Sequence, residues 1–404
     1  MPLAIALPEP LRQFAGRIPD VDSHEMIPAQ DWVSVFGPEV QPMAEYWLAK
    51  GETDEHDRNA PNVPGYPGDI QPIGADISAR KGARAPGAND MTRREGVMDA
   101  MGVGKQLMFS SYVGIFSLIM MMKGADEGFM GDFQADRHGQ ARRWLDLYTN
   151  WAVEVGKTSP RVRPVMPVYA ETVEDLIAST RSLLDNGIRA IQLPVGNLPG
   201  GVSPAHPSLD PFWAMLSEAK CPLMMHIGCE SKFLETRDWG KAPVFEGFRN
   251  LGEFSVDPWT TSVLHIPFQN FVATMIVGGV FERHPELYVG IIEVGTHWVG
   301  AMARGLDIWH DNAGAFKNAG TFQLSERPSH YLRRNVRVAP FIFEPFDEFI
   351  EQYGLEDVIC FSSDYPHIEG GNTMFQTYYD KVRRLGPEMV EKFFVTNGSC
   401  LLQD

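Results

Sequence analysis

Two short polar clusters stand near opposite ends of this 404-residue chain: Asp22-Ser23-His24-Glu25 and Ser363-Asp364-Tyr365-Pro366-His367. Each follows an apolar run of strand character, and between them the run Leu223-Met224-Met225 ends in His226. Mixed carboxylate and imidazole donors suit Zn2+, Mn2+ or Fe2+. Asp22 and His24 alternate along one segment, so on a strand both project to the same face. Taken alone, an Asp–His hydrogen bond closing a strand end explains that spacing equally well. A lone histidine in an apolar run is likewise more often a core residue than a ligand. Three such strand ends in one chain tip the balance toward a shared metal, with Asp22, His24, His226 and Asp364 as candidate ligands. Asp364 also suits a general base or acid beside that metal, against the plainer role of a turn cap in Asp-Tyr-Pro.

Further candidates flank the same kind of element. Glu293 emerges from an apolar run in Ile292-Glu293-Val294-Gly295-Thr296-His297-Trp298. Glu293 and His297 join Asp364 as catalytic candidates, and either could touch metal or substrate. His265 and His367 are second-rank candidates for substrate contact. His284, in a helix-to-strand connection, is expected at the opposite end of the fold and in a structural role. Arg333, Arg334 and Arg337 precede a strand, where a solvated basic run is commoner than a carboxylate clamp.

These residues need a frame that brings distant segments together. Short apolar or β-branched runs recur at 18–27, 105–110, 163–169, 190–194, 223–227, 288–294, 336–341 and 358–362. Amphipathic stretches separate them, such as 140–155, with Trp144, Leu147, Tyr148 and Trp151 at helical spacing, and 173–186, stopped by Gly187. Strands alternating with helices predict an α/β (β/α)8 TIM barrel, whose chemistry collects at the C-terminal ends of its strands. An open doubly wound sheet competes, but no glycine-rich phosphate loop follows the first strand. The expected organisation is one domain over 1–404 with a loop-rich, Gly- and Pro-rich insertion at about 51–90, serving as a lid or as a subunit contact.

Composition sets the outer bounds. The 44% hydrophobic and 22% charged content suits a globular chain with a large core. A formal charge of −17 disfavours nucleic acid and anionic membranes as partners, though not a small anionic substrate. The longest apolar run, around 115–122, is too short to span a bilayer. Four cysteines without a CxxC pair are expected to be reduced thiols in a cytoplasmic protein. A symmetric homodimer or higher oligomer is expected for a barrel of this size. The helix with Trp144 and Tyr148 is assigned to the core rather than to an interface.

Several motifs together resemble the amidohydrolase superfamily, in the amidohydrolase-2 branch that holds aminocarboxymuconate semialdehyde and resorcylate decarboxylases. They are Val21-Asp22-Ser23-His24-Glu25, the block Gly279-Val280-Phe281-Glu282-Arg283-His284-Pro285-Glu286-Leu287, Glu293-Val294-Gly295, Arg304-Gly305-Leu306-Asp307 and Ser363-Asp364-Tyr365-Pro366-His367. The resemblance implies a mononuclear divalent site, Zn or Mn with Fe as an alternative, held by Asp22, His24, His226 and Asp364. The chain departs from the family twice. The fourth strand run, Ala190-Ile191-Gln192-Leu193-Pro194, lacks the lysine that two-metal hydrolases carbamylate, and Glu293 stands where the decarboxylases have a histidine. The expected activity is metal-dependent nonoxidative decarboxylation, or the related hydrolysis, of a small carboxylated, cyclic substrate. The alternatives are a dinuclear iron or manganese oxygenase, with Glu293 and His297 or His265 at a second metal, and a noncatalytic subunit of a mixed oligomer.

Overall fold

Parallel strands form the centre of the structure, a computed structural model that describes residues 5–51, 59–123, 129–196, 198–230, 239–240, 242–245, 250–251, 254–255, 257–313 and 324–404. In chain order they are β1 (Ile18–Asp20), β2 (His24–Glu25), β3 (Val103–Ser110), β4 (Val162–Pro164), β5 (Met166–Pro167), β6 (Ile191–Gln192), β7 (Leu223–His226), the small antiparallel pair β8 (Asn250–Leu251) and β9 (Phe254–Ser255), β10 (Val289–Ile292) and β11 (Val336–Val338). β3 pairs with β1, β2 and β4, and a second ladder runs β5-β6-β7-β10-β11, every pair parallel. β4 and β5 are one broken strand, since the intervening Val165 still donates to Met108 at 2.8 Å. Pro164 and Pro167 lack the N–H that a continuous ladder would use.

The ring is completed by bridges instead of a ladder. Val338 bridges Ile359, and Tyr365 bridges Ser23; the Asp364 amide donates to Asp22 at 2.9 Å and the His24 amide to Tyr365 at 2.8 Å. The run expected at 358–362 is therefore in place as the eighth element, although it forms no regular strand of its own. The run expected at 18–27 is split into β1 and β2.

Alternation sorts the side chains. Met224, Leu107, Phe109, Val165, Ala190, Ile292, Ala339 and Cys360 fill one buried cluster inside the ring. Leu223, Met225, Met108, Ile191, Ile291 and Val338 belong to the larger core between strands and helices. His226 shares the parity of Met224, so it faces inward at the strand end. The outer layer includes the helix Arg137–Thr158, which buries Trp144 and Tyr148; the Trp144 indole donates to the Glu39 carbonyl at 2.9 Å. The aromatic spacing of that helix is core packing. Among the described residues no helix is long and apolar enough to cross a membrane.

Residues 59–90 are laced to the mouth of the ring, while 52–58 lie outside the described residues. The Met26 amide donates to Ala88 at 2.7 Å and the Gly82 amide to Pro366 at 2.9 Å. The Tyr365 hydroxyl donates to Pro86 at 2.6 Å, and the Asn59 amide group to Glu369 at 2.8 Å. Arg333, Arg334 and Arg337 donate to the carbonyls of Gly354, Phe281 and Asn397. They tie chain ends around the start of β11, remote from the strand end where Asp364 sits.

Asp20 locks the first and last elements together. Its buried carboxylate accepts from the Ser363 amide at 2.8 Å, the Ser363 hydroxyl at 2.5 Å and the Gln106 amide group at 2.6 Å. Replacing it with alanine would strand those three buried donors, each worth about 1 kcal/mol or more, and the Asp22 amide that bonds it more weakly at 3.3 Å. Asp20→Ala should therefore lower the unfolding free energy in urea by about 3 kcal/mol; a loss below about 1 kcal/mol would show that the lock is dispensable.

Candidate metal centre

The strand ends bring the candidate ligands to one point. His24 Nε2 lies 3.3 Å from Asp22 Oδ1 and 3.7 Å from Asp364 Oδ1. His226 Nε2 lies 3.7 Å from Asp22 Oδ1 and 3.5 Å from Glu293 Oε2. One donor atom each from Asp22, His24, His226 and Glu293 falls within 4.8 Å of the others, and every one of these residues is buried. Two further groups overlap them, His24–Asp364–His367 and Glu293–Asp364–Glu369. Ligands at about 2.1 Å from a tetrahedral ion stand about 3.4 Å apart, and these separations match that edge.

The surroundings favour the same reading. Asp22 Oδ1 and both oxygens of Asp364 are buried and accept no hydrogen bond from any described residue. Desolvated anions in that condition carry a cost that a cation removes. Burial alone would raise the pKa of Asp22, but His226 and His24 beside it overcome that and hold it below the usual carboxylate range. The His226 Nδ1 faces the Ile227 carbonyl at 3.0 Å. A carbonyl can only accept, so Nδ1 carries the proton and Nε2 keeps its lone pair for the cluster. The His367 ring stacks on that of His24 at 3.8 Å, and Phe109 packs against His226 at 4.7 Å.

Backbone geometry marks two of these residues. Glu293 and Asp364 have φ of 59° and 48°, a left-handed conformation that non-glycine residues rarely adopt and that costs about 1 kcal/mol or more. Each sits just past an inward-facing apolar segment, and the turn aims its carboxylate into the cluster. A cavity of about 20 Å3 lies between Asp22, Glu293, Asp364 and Glu369, enough for one ion or water. Wider hollows, such as one of about 410 Å3 beside Ile5, Arg12 and Gln376, contain none of these residues.

The remaining candidates separate from this point. His297 and His265 meet each other, with ring centroids 4.7 Å apart, and His297 Nδ1 lies 3.4 Å from Glu344. Burial, with His297 adding to it, pushes the pKa of His265 down to about 4, so it is neutral at pH 7. Among the described residues neither histidine joins a metal-donor group, and Glu293 faces His226 instead. Among the described residues, Glu293 therefore shares no donor group with His297 or His265. His367 does reach the cluster, 3.3 Å from Asp364 Oδ1, and its other nitrogen lies 3.0 Å from the Ser111 hydroxyl. His284 bonds Asp210 at 3.3 Å, as a structural residue would. Sequence reasoning missed Glu369 and Glu344. The second, a single acid in Phe341-Ile342-Phe343-Glu344-Pro345, accepts from the Thr296 and Phe341 amides at 2.9 and 3.0 Å; its apolar setting was the available signal.

The amidohydrolase family model matches residues 120–398. The chain belongs to the amidohydrolase family. No curated protein matches it significantly. Among solved structures, an amidohydrolase from Mycobacterium avium subsp. paratuberculosis is 21% identical, with a TM-score of 0.64 over 96% of this chain and 99% of that one. The 5-carboxyvanillate decarboxylase of Sphingomonas paucimobilis is 15% identical, with a TM-score of 0.57 over 95% and 97%. That of Novosphingobium aromaticivorans, complexed with manganese and 4-hydroxy-3-methoxy-5-nitrobenzoic acid, is 17% identical, with a TM-score of 0.57 over 96% and 97%. The fold expected from the strand count is thus the fold of this amidohydrolase, and its buried Asp/His/Glu cluster suits a divalent metal.

Removing a ligand should release that metal. In protein purified from manganese-supplemented medium, His24→Ala and His226→Ala are expected to retain less than about a tenth of the wild-type metal by mass spectrometry. His297→Ala should retain all of it, and equal loss in all three variants would refute the ligand assignment.

Proposed function

We propose that this amidohydrolase catalyses the divalent-metal-dependent, nonoxidative decarboxylation of a small aromatic carboxylate. The observation that carries the proposal is Asp364: a buried carboxylate with no hydrogen bond from any described residue, set against the Asp22–His24–His226–Glu293 donor group. The decarboxylases of the same fold, one of them holding manganese and a nitrobenzoic acid, support the choice of reaction and of Mn or Zn.

In this reading Asp22, His24 and His226 would hold the cation, with Asp364 and Glu293 as the further carboxylates beside it. The bound cation would supply Lewis acidity that draws electron density from the substrate's oxygens and fixes their orientation. Asp364 in its acid form gives its proton to the ring carbon. The electron pair of the breaking carbon–carboxylate bond stays with the ring, and carbon dioxide leaves. His367, between Asp364 and Ser111, holds the acid in place. Phe109 and Tyr378 help to keep water out of this corner of the ring.

Hydrolysis would use the same residues to activate water. The fourth strand speaks against the two-metal form of it, because Gln192 occupies that strand and donates to the Cys229 sulfur at 3.0 Å. A dinuclear iron or manganese oxygenase is the second reading, favoured by the overlapping donor groups His24–Asp364–His367 and Glu293–Asp364–Glu369. The complete donor set counts against a noncatalytic subunit. We place the enzyme in the cytoplasm, as a homodimer or larger assembly; the free thiols of Cys221, Cys229, Cys360 and Cys400 support a reducing compartment.

The test is gas release. Manganese-loaded protein given hydroxylated benzoates such as 5-carboxyvanillate and 2,6-dihydroxybenzoate should release carbon dioxide without consuming oxygen. Asp364→Asn should lower that rate about 10²- to 10⁴-fold. Oxygen uptake with bound iron would select the oxygenase instead, and an unimpaired Asp364→Asn would remove Asp364 from the chemistry.

A further inference from the structure

The N-terminal end of the ring, opposite the metal centre, carries charge that the chemistry above does not use. Lys105 shares the parity of Leu107 along β3, and Arg163 that of Val165; both apolar side chains fill the inner cluster. The two cations therefore point into the ring near the starts of their strands. Leu401 and Leu402 join the same inner cluster, which brings Asp404 to this end. The Lys105 ammonium bonds the Asp404 carboxylate, and the Lys220 ammonium donates to the Asp404 backbone oxygen at 3.0 Å. Arg163 Nη2 lies 3.9 Å from that carboxylate, too far for a hydrogen bond.

Asp404 leaves this set incompletely satisfied. The Arg163 side chain is only 14% exposed, and its Nη1 is enclosed with no hydrogen bond to any described residue. Burial lowers the pKa of Arg163, Asp404 and Cys221 pull it back up, and Arg189 repels its charge. A guanidinium presents five donors in a planar fork, and one exposed carboxylate cannot serve that fork together with two ammonium groups. Three cations gathered on one residue make a local positive basin on a chain of formal charge −17. A tetrahedral oxyanion brings the acceptors and the charge that Asp404 lacks.

We propose that Lys105, Arg163 and Lys220 form an oxyanion site for inorganic phosphate at the N-terminal end of the ring, with Asp404 as the built-in occupant that phosphate displaces. The exposed Asp404 side chain swings away while Leu401 and Leu402 keep the segment seated. The dianion offers one oxygen to each ammonium and the others to the Arg163 fork, which favours two parallel bonds. Neither the metal ligands nor the proposed acid takes part, so the site stands apart from the decarboxylase reading.

Calorimetry at constant ionic strength, with phosphate replacing chloride, tests this on manganese-loaded protein freed of unbound metal. Wild type should bind phosphate, and Asp404→Asn, which removes the competing charge, should bind it about 10-fold more tightly. Lys105→Met and Arg163→Met should each weaken it about 10- to 100-fold, the loss of one charged hydrogen bond. Denaturation curves verify folding, and if Arg163→Met does not fold, Lys105→Met and Asp404→Asn decide. Manganese content should be the same in every folded variant. Phosphate affinity unchanged in Lys105→Met and Arg163→Met would place the anion at the metal centre and overturn the site. So would equal affinity in Asp404→Asn and wild type, or no phosphate binding in either. Absence of carbon dioxide release would end the decarboxylase reading and leave the phosphate result untouched.

Discussion

Desolvated negative charge is the constraint on which this structure turns. Asp22, Glu293 and Asp364 are withdrawn from water at the mouth of an apolar ring, with His24, His226 and His367 between them. Neutral imidazoles can donate one hydrogen bond each, and His226 spends its own on the Ile227 carbonyl. Carboxylates so enclosed repel one another and lose the hydration that water would give them. A divalent cation resolves the conflict in one step, since it neutralises charge and occupies lone pairs of Asp22 and Asp364 that no hydrogen bond from a described residue reaches. The left-handed turns at Glu293 and Asp364 are intelligible on the same terms: their cost is offset only if the carboxylates they aim inward find a strong partner.

The remainder of the fold serves to make that enclosure rigid. Inward-facing Met224, Phe109 and Ile292 form a floor of apolar contact beneath the ligands. Asp20 ties Ser363 to the first strand, so the segments bearing Asp22 and Asp364 cannot drift apart. The Arg94 guanidinium, itself buried, donates to the His24 carbonyl and lies over the Tyr365 ring at 5.4 Å. Residues 59–90 then cover one side through Gly82, Pro86 and Ala88. Donor residues that follow β1 and β10, lie in β2 and β7, or stand at the last bridge thereby share one geometry without being near in sequence.

Much of this was legible in the chain. Asp22, His24, His226 and Asp364 stood out as candidates because each ends an apolar run, and strand alternation with strand-end chemistry is a general property of parallel barrels. The Trp144 helix and the structural place of His284 followed from periodicity and position. What escaped was set by turns. Whether Glu293 faces His226 or His297 depends on one left-handed residue, and no local pattern announces it. Glu369 enters the cluster because the chain folds back after His367, and Lys81 is buried because an irregular stretch lies across the mouth. A lysine in a Gly- and Ala-rich loop has no periodicity to betray its burial.

The central claim is that these strand ends hold one cation between Asp22, His24 and His226. A crystal of the protein grown with manganese, measured near the manganese absorption edge, tests it directly. The account expects an anomalous peak bonded to Asp22, His24 and His226 at about 2.0–2.2 Å. Absence of any peak there at saturating manganese, or a peak bound instead between His265, His297 and Glu344, would contradict it.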